Sequence, residues 1–565
     1  MKKRLFGLFL CMIMIVAVFT SCNNSGNVQT EDLTVPMTVT LTMITDEETT
    51  DAGRQMVQDA INRITEKSLN THVVLQLYTE NQYYAAVEAK LKAREEDEKA
   101  GIQRISMGKA DDIVLNQYGR EITVYPTPYP NQIDIFLLKN GTQLIEYYQQ
   151  GYLSDIGSAL ASDGVANLLN KYISADVLNY GKIGEIQYAV PGNSLYSGEY
   201  EYLLINKELF DKYNYDIDEV TDELSSIEDY LVDLAKYEKD VLPLYNINYL
   251  GLESATGRPS VVGTYIPEDA VLNEETMFAP SNIISIDNVR KALTTVNAFA
   301  SINGDYPIFT DDVDFDKTFG AAYIKGSSAT PAEYTDDYYV VDVKGPRLTT
   351  EDIYGSMFAV SSFTTDADRC MEIVNLINTD STVRNLLQYG VENAQYTVDD
   401  DTGIVSKIAN PKDDAYYSMN MYKTGNMFLL MPNDEMTERE LLYSANNWAL
   451  AKQTAADAFR SPNVGFALKF ETVDDLEESY AQYGIMLEED IERLELLYDE
   501  LWTKMAEYDV YVDTATGVDT TFSGYLDYLS RWVSGNKYVS YANSVISKQY
   551  RDWYNLVVYP DGLEE

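Results

Sequence analysis

The chain is 565 residues long and carries 90 acidic against 42 basic residues, a formal charge of −48. A surface of that sign repels phosphate backbones and excludes nucleic acid as a partner, while a hydrophobic content of 45% supports packed cores. A single histidine, His72, and only three cysteines exclude multi-histidine and cysteine-rich metal sites, so neither a metal nor a cofactor is implied.

Lys2, Lys3 and Arg4 precede the uncharged apolar run Leu5 to Val18, the pattern of a secretory signal and too short for a spanning helix. Phe19, Thr20, Ser21 and Cys22 resemble a lipobox, in which Cys22 becomes the lipidated first residue of the mature chain; Phe19 stands where leucine is usual. The plainer reading is an ordinary signal with a chance cysteine. Residues 1–21 are read as the signal and 22–37, beginning NNSGNVQTED after Cys22, as a flexible tether. With Cys11 inside the signal and Cys22 lipidated, Cys370 is left alone in a predicted amphipathic helix, where a buried small hydrophobe is the expected role.

Thr38 to Thr45 alternates apolar and polar residues and reads as a strand. Gly53 to Ser68 puts Met56, Val57, Ala60, Ile61 and Ile64 on one helical face. His72 to Tyr78 is a second strand, with His72 structural, and Tyr83 to Ala93 a second helix. This β-α-β-α rhythm predicts an α/β unit with a largely parallel sheet. Residues 94 to 130 read as a surface excursion with a short hairpin around Ile113 to Val124. IDIFLLKNG (133–141) is a strand and turn, followed by a helix that Gly151 ends; GEIQYAVP and YEYLLIN are strands, and KELFDKYNYD a helix. A chain of this length exceeds one core, so two lobes are expected. DDVDFDK (311–317) lacks the glycine and glutamate of a full calcium loop and reads as a solvated acidic loop; TVDDDTG and VDTATG read as turns.

Taken in order, IDIFLLKNGTQLIEYYQQGYLSDI, GEIQYAVP, YLLINKELFDKYNYD, TFGAAYIKGSS and YGSMFAVSSFTTDADRCMEIVNLINTDSTVRNLLQYGVENAQYTV resemble the bacterial extracellular solute-binding proteins of the sugar type. IEDYLVDLAKYEKDVLPL, SPNVGFALKF and the final YLDYLSRWVSGNKYVSYANSVISKQYRDWY are similar to the remaining segments of a lipoprotein subfamily with a distinctive C-terminal extension. The resemblance spans roughly residues 38 to 555 apart from the excursion. It implies an α/β, two-lobed, periplasmic-binding-protein-like fold of type II, with hinge crossovers and an extra helical C-terminal region. It places 38–190 plus 342–390 in an N-terminal lobe and 191–341 plus 391–565 in a C-terminal lobe. It implies a monomer, lipid-anchored on the outer face of the cell membrane, that captures an oligosaccharide between its lobes and delivers it to the permease subunits of an ABC importer, without catalysis.

Carried over residue by residue, the resemblance implies ligand contacts at Lys139 and Asn140 after the strand IDIFLL, and at Tyr83 at the start of a helix. Asn193 and Tyr196 follow the first crossover, Ser356 and Met357 lie beside the second, and Glu392 and Tyr396 follow the GVEN turn. Trp448 is the best stacking candidate among four tryptophans, since Trp502, Trp532 and Trp553 lie in amphipathic helices and read as core. Each has a plainer reading too: Asn140-Gly141 as a turn, Tyr396 as core, Glu392 as a cap or a structural pair. Competing functions are a secreted glycoside hydrolase working through a carboxylate pair, a peptide binder suited by the negative charge, and a structural surface lipoprotein.

Overall fold

The computed structural model describes residues 33–104, 114–115, 121–192, 200–221, 223–245, 287–304, 313–327, 330–348, 350–436 and 518–557, with short pieces between 258 and 284 and between 440 and 513. The signal, Cys22 and most of the tether, together with Asn193, Tyr196 and Trp448, lie outside the described residues.

The first elements are β1 (Met37–Thr45), α1 (Asp51–Leu69), β2 (Thr71–Thr79), α2 (Glu80–Lys99), β3 (Ile135–Leu138) and α3 (Gly141–Gln149). β1 and β2 run parallel from Met37 opposite Thr71 to Thr45 opposite Thr79. Val39, Leu41 and Met43 on one face of β1 and Thr38, Thr40 and Thr42 on the other are all buried, as in a sheet covered on both sides. α1 stops at Asn70, which adopts a left-handed conformation (φ 48°) that asparagine tolerates.

α2 runs six residues past the expected stop at Ala93. The charged run that reads as a surface excursion keeps helical spacing: Lys99 pairs with Glu95 at 2.5 Å and Arg94 with Glu98 at 3.5 Å, both four residues apart. Arg94 is itself buried, lies over the Tyr129 ring and donates to the Ile102 carbonyl. The hairpin expected near Ile113 to Val124 is present as Val114–Leu115 paired with Glu121–Ile122. GEIQYAVP divides, because Ile186–Gln187 folds back on Lys182–Ile183, leaving only β4 (Ala189–Val190) to join the sheet.

A second unit follows: β5 (Tyr200–Asn206), α4 (Lys207–Lys212), α5 (Glu228–Tyr237), β6 (Leu242–Tyr245), α6 (Asp287–Asn303), β7 (Phe319–Gly326) and β8 (Tyr338–Lys344). The chain then returns through α7 (Thr350–Tyr354) to β9 (Met357–Val360), α8 (Ala367–Thr379) and α9 (Ser381–Tyr389). The five-stranded sheet has the order β2-β1-β3-β9-β4 and the four-stranded sheet β6-β7-β5-β8. β9, the strand coming back from the second unit, lies antiparallel between β3 and β4.

Each sheet has its own apolar cluster, one around Leu41, Phe136 and Phe358, the other around Leu203, Leu231, Phe299 and Tyr323. Two of the expected lobe boundaries differ from this packing. Asp342 falls inside β8, a strand of the second sheet. Residues between Tyr396 and Met436, assigned from sequence to the C-terminal lobe, pack in the first cluster, because short turns there carry Tyr417, Met427, Phe428 and Leu430 into it. The C-terminal helices divide likewise. α10 (Phe522–Gly535) buries Phe522, Tyr525, Leu526 and Leu529 in the second cluster, and α11 (Lys537–Val557) buries Val539, Tyr550 and Trp553 in the first. Burying such a side chain contributes roughly 1.5–3 kcal/mol, so α11 is an integral part of the first unit. Trp532 packs against both clusters, and Trp553 is core as expected.

Candidate functional site

β1, β2 and β3 are parallel, so Thr45, Thr79 and Leu138 end at one edge of the first sheet, and α1, α2 and α3 begin there. In open α/β sheets this carboxyl edge is where ligands bind, with helix N-termini turned toward it. Both crossovers pass the same edge. Met357, the first residue of β9, lies opposite Leu138, and Gly192, just after β4, donates its N–H to the Ile353 carbonyl at 3.3 Å. A Cβ on Gly192 would overlap the Ser356 hydroxyl. The two connections are therefore in contact, and glycine is the residue that lets them touch.

Several sequence candidates meet at this edge. Lys139 holds its ammonium 5.6 Å from the Tyr84 ring centroid. Asn140 is the N-cap of α3, its side chain accepting from the Gln143 N–H at 2.9 Å, so the plainer reading of a capped turn holds for its oxygen. Ser356 is 1% exposed, and its hydroxyl has no hydrogen-bond partner among the described residues. Met357 is fully buried in the sheet. Tyr83 is fully buried too: its hydroxyl donates to the Thr42 carbonyl at 2.9 Å and accepts from the Leu137 N–H at 2.7 Å. Neither Met357 nor Tyr83 presents a surface to a ligand here. Tyr84, one residue on, is the tyrosine at the edge.

Sequence reasoning missed Lys423. This lysine is 7% exposed, with its ammonium 2.5 Å from Glu351 and 3.6 Å from Glu80 at the start of α2, and it ties the returning connection to the sheet edge. No spacing in the sequence connects positions 80, 351 and 423.

Beside this edge lies a chamber of about 280 Å³. Its floor comes from β10 (Tyr396–Val398) and β11 (Val405–Lys407), a hairpin whose turn is fastened by Asp399 accepting from Asp401 and Thr402. Arg384 on α9, wholly buried, organises the opposite wall by donating to the Asn426 and Met421 carbonyls at 3.1 and 2.8 Å. Asp46, just past β1, closes one side: Lys407 donates to the Ser418 hydroxyl and Ser418 to Asp46, each at 2.7 Å. Four tyrosines, 389, 396, 417 and 422, line the space. Burial, and then the nearby Glu392, push the Tyr396 phenol up to about 12, so it stays a protonated donor at neutral pH. The chamber adjoins the crossover, since a Cβ on Gly355 would stand 3.0 Å from the Tyr422 carbonyl oxygen. Glu392 is exposed and remains outside the lining. Among the described residues no group of histidine, cysteine, aspartate and glutamate is placed to hold a metal ion, and no helix is long and apolar enough to cross a membrane.

No family model matches the chain. A curated relative, the "Carbohydrate ABC transporter substrate-binding protein" of Streptococcus pneumoniae serotype 4, is 24% identical over 378 residues, covering 63% of this chain and 71% of that protein. Among solved structures, the N-glycan transport solute binding protein (NgtS) of Streptococcus pneumoniae is 16% identical with a TM-score of 0.49, covering 92% of this chain and 99% of that one. A solute-binding protein from Bifidobacterium longum infantis, described as binding HMO and associated with an ABC transporter, is 14% identical with a TM-score of 0.45, at coverages of 92% and 99%. Over 63% of its length the chain is thus similar to a carbohydrate ABC transporter substrate-binding protein, and its two sheets are joined by paired crossovers.

Proposed function

We propose that the chain captures an oligosaccharide at the carboxyl edge of its first sheet and delivers it unaltered to an ABC importer, tethered to the outer face of the membrane through lipid on Cys22. The observation that carries this reading is the match to a carbohydrate ABC transporter substrate-binding protein over 63% of the chain. The geometry is consistent with it. The crossovers touch where the ligand edge lies, so a bend at Gly192 and Ser356 moves the second unit over the first. Binding then offsets the free energy of closure, and the importer senses the closed form. The tyrosines and carboxylates beside that edge suit a guest with C–H faces and hydroxyls. In this reading the chain is a monomer with no cofactor and no catalytic step, residues 1–21 are removed, and 22–37 is the tether.

A thermal-shift screen of the mature chain against neutral oligosaccharides, peptides and divalent metals tests it. At a hundred times Kd a ligand of the native state adds about 2.7 kcal/mol, and a neutral oligosaccharide should do so without any new reducing ends. A shift produced only by peptides, or new reducing ends on incubation, would favour the peptide binder or the hydrolase.

A further inference from the structure

The chamber beside the crossover differs from a cleft between units in one respect: every wall residue except Asp46 lies between 388 and 435, and the whole belongs to the first unit. Its walls are therefore in place before any closure. At about 280 Å³ it sits just under the range of roughly 300–1,000 Å³ found for pockets that take whole drug-sized ligands, which suits one ring of a guest.

Its polar groups narrow the chemistry. Three of the four tyrosine hydroxyls are committed to the protein: Tyr389 donates to the Met431 carbonyl at 2.7 Å, Tyr417 to the Leu387 carbonyl at 2.8 Å, and Tyr422 to Glu440. Tyr396 is 7% exposed, its ring lies 5.7 Å from that of Tyr389, and its hydroxyl has no hydrogen bond to the described residues. It is the tyrosine hydroxyl left for a guest. Asp46 accepts from the Ser418 hydroxyl, which itself accepts from Lys407, so part of its capacity to accept from an amine is already used. Asp434 and Glu435, both exposed lining residues, oppose an acid.

We propose that this chamber takes one uncharged pyranose unit of the captured oligosaccharide, stacked on the tyrosine rings and hydrogen-bonded by the Tyr396 hydroxyl. The proposal rests on the sugar-capture reading and assigns the chamber as a preformed subsite within it.

Saturation-transfer NMR on the mature chain tests this, using the methyl glycosides of glucose, mannose, galactose and N-acetylglucosamine alongside glucuronate and glucosamine. At least one neutral glycoside should bind, and the acid and the amine should not. Tyr396→Phe removes one hydroxyl and should weaken that glycoside about five- to tenfold with the unfolding temperature unchanged. Asp434→Lys, at an exposed position, should admit glucuronate. Undiminished glycoside binding in Tyr396→Phe, or a preference for the acid or the amine, overturns the assignment. If oligosaccharides still bind with full affinity to Tyr396→Phe, the subsite is wrong and capture stands; if no sugar binds the wild type, both fall.

Discussion

At the residue scale, Tyr83 shows how a ligand candidate becomes part of the frame. β1 and β3 share a single paired position, Leu41 opposite Ile135, and then diverge. The Tyr83 hydroxyl sits in that gap and joins the Thr42 carbonyl to the Leu137 N–H. Tyr83→Phe leaves both buried groups short of a partner and should cost about 1–3 kcal/mol, read by urea unfolding, with sugar affinity unchanged. A loss of affinity without a loss of stability would restore Tyr83 as a ligand contact.

Asp134 makes a different residue-scale prediction. Burial raises its carboxyl above the ordinary value, opposed by donors that include the Thr40 N–H and the Gln132 amide. Its other oxygen has no partner among the described residues. Because the folded-state pKa lies above the unfolded one, this group's stabilisation is complete below the ordinary carboxylate pKa of about 3.9 and is lost as pH rises through the folded value. Asp134→Asn cannot ionise, so unfolding curves from pH 4 to 8 should show the wild type losing stability relative to the variant as pH rises. Parallel curves would show that Asp134 does not titrate in that window.

At the element scale, Gly53 reverses a helix-propensity rule. Gly→Ala inside a helix normally gains about 1 kcal/mol. Here a Cβ would overlap the Tyr416 carbonyl oxygen, because the first turn of α1 seats against residues 414–418. Thr50 strengthens that seat: it caps α1 by accepting from the Gly53 N–H, while its own N–H donates to the Tyr416 carbonyl at 3.0 Å. Gly53→Ala should therefore lower the unfolding temperature, by calorimetry, where an unpacked helix would gain. A higher temperature would mean that 414–418 does not rest on α1.

Elements with regular spacing were legible in the sequence. The strand at Thr38 to Thr45 and the helix at Gly53 to Ser68 were found to within two residues, because burial on a strand or a helix face leaves a period. The extension of α2 was missed because its apolar period lapses after Leu91, while the charge pairs that sustain it look from sequence like a solvated run. The 414–436 segment had no period at all. Arg384, Asn385 and Gln388 of α9 hold its carbonyls from 31 or more positions away. The same distance hid Asp46, Lys407 and Lys423, whereas Lys139, Asn140 and Ser356, which the family resemblance implies, lie near the sheet edge.

At the scale of the whole molecule, the return of the chain decides the architecture. β9 completes the first sheet after the second has been built, and α10 and α11 carry the C-terminal region from the second cluster back to the first. The chain passes from one unit to the other after Gly192, returns through α7 to β9, and links the units again between α10 and α11, with Trp532 packed against both clusters. A hinge placed there permits rotation of one unit against the other while each core stays intact. In the proposed function this rotation traps an oligosaccharide and leaves it whole. Small-angle X-ray scattering of the mature chain, titrated with a neutral oligosaccharide that raises its melting temperature, measures it most directly. A radius of gyration that falls to a plateau with saturation, with the sugar recovered unchanged from the same sample, is the predicted result; a radius that stays constant at saturation, or a sugar recovered in pieces, would contradict it.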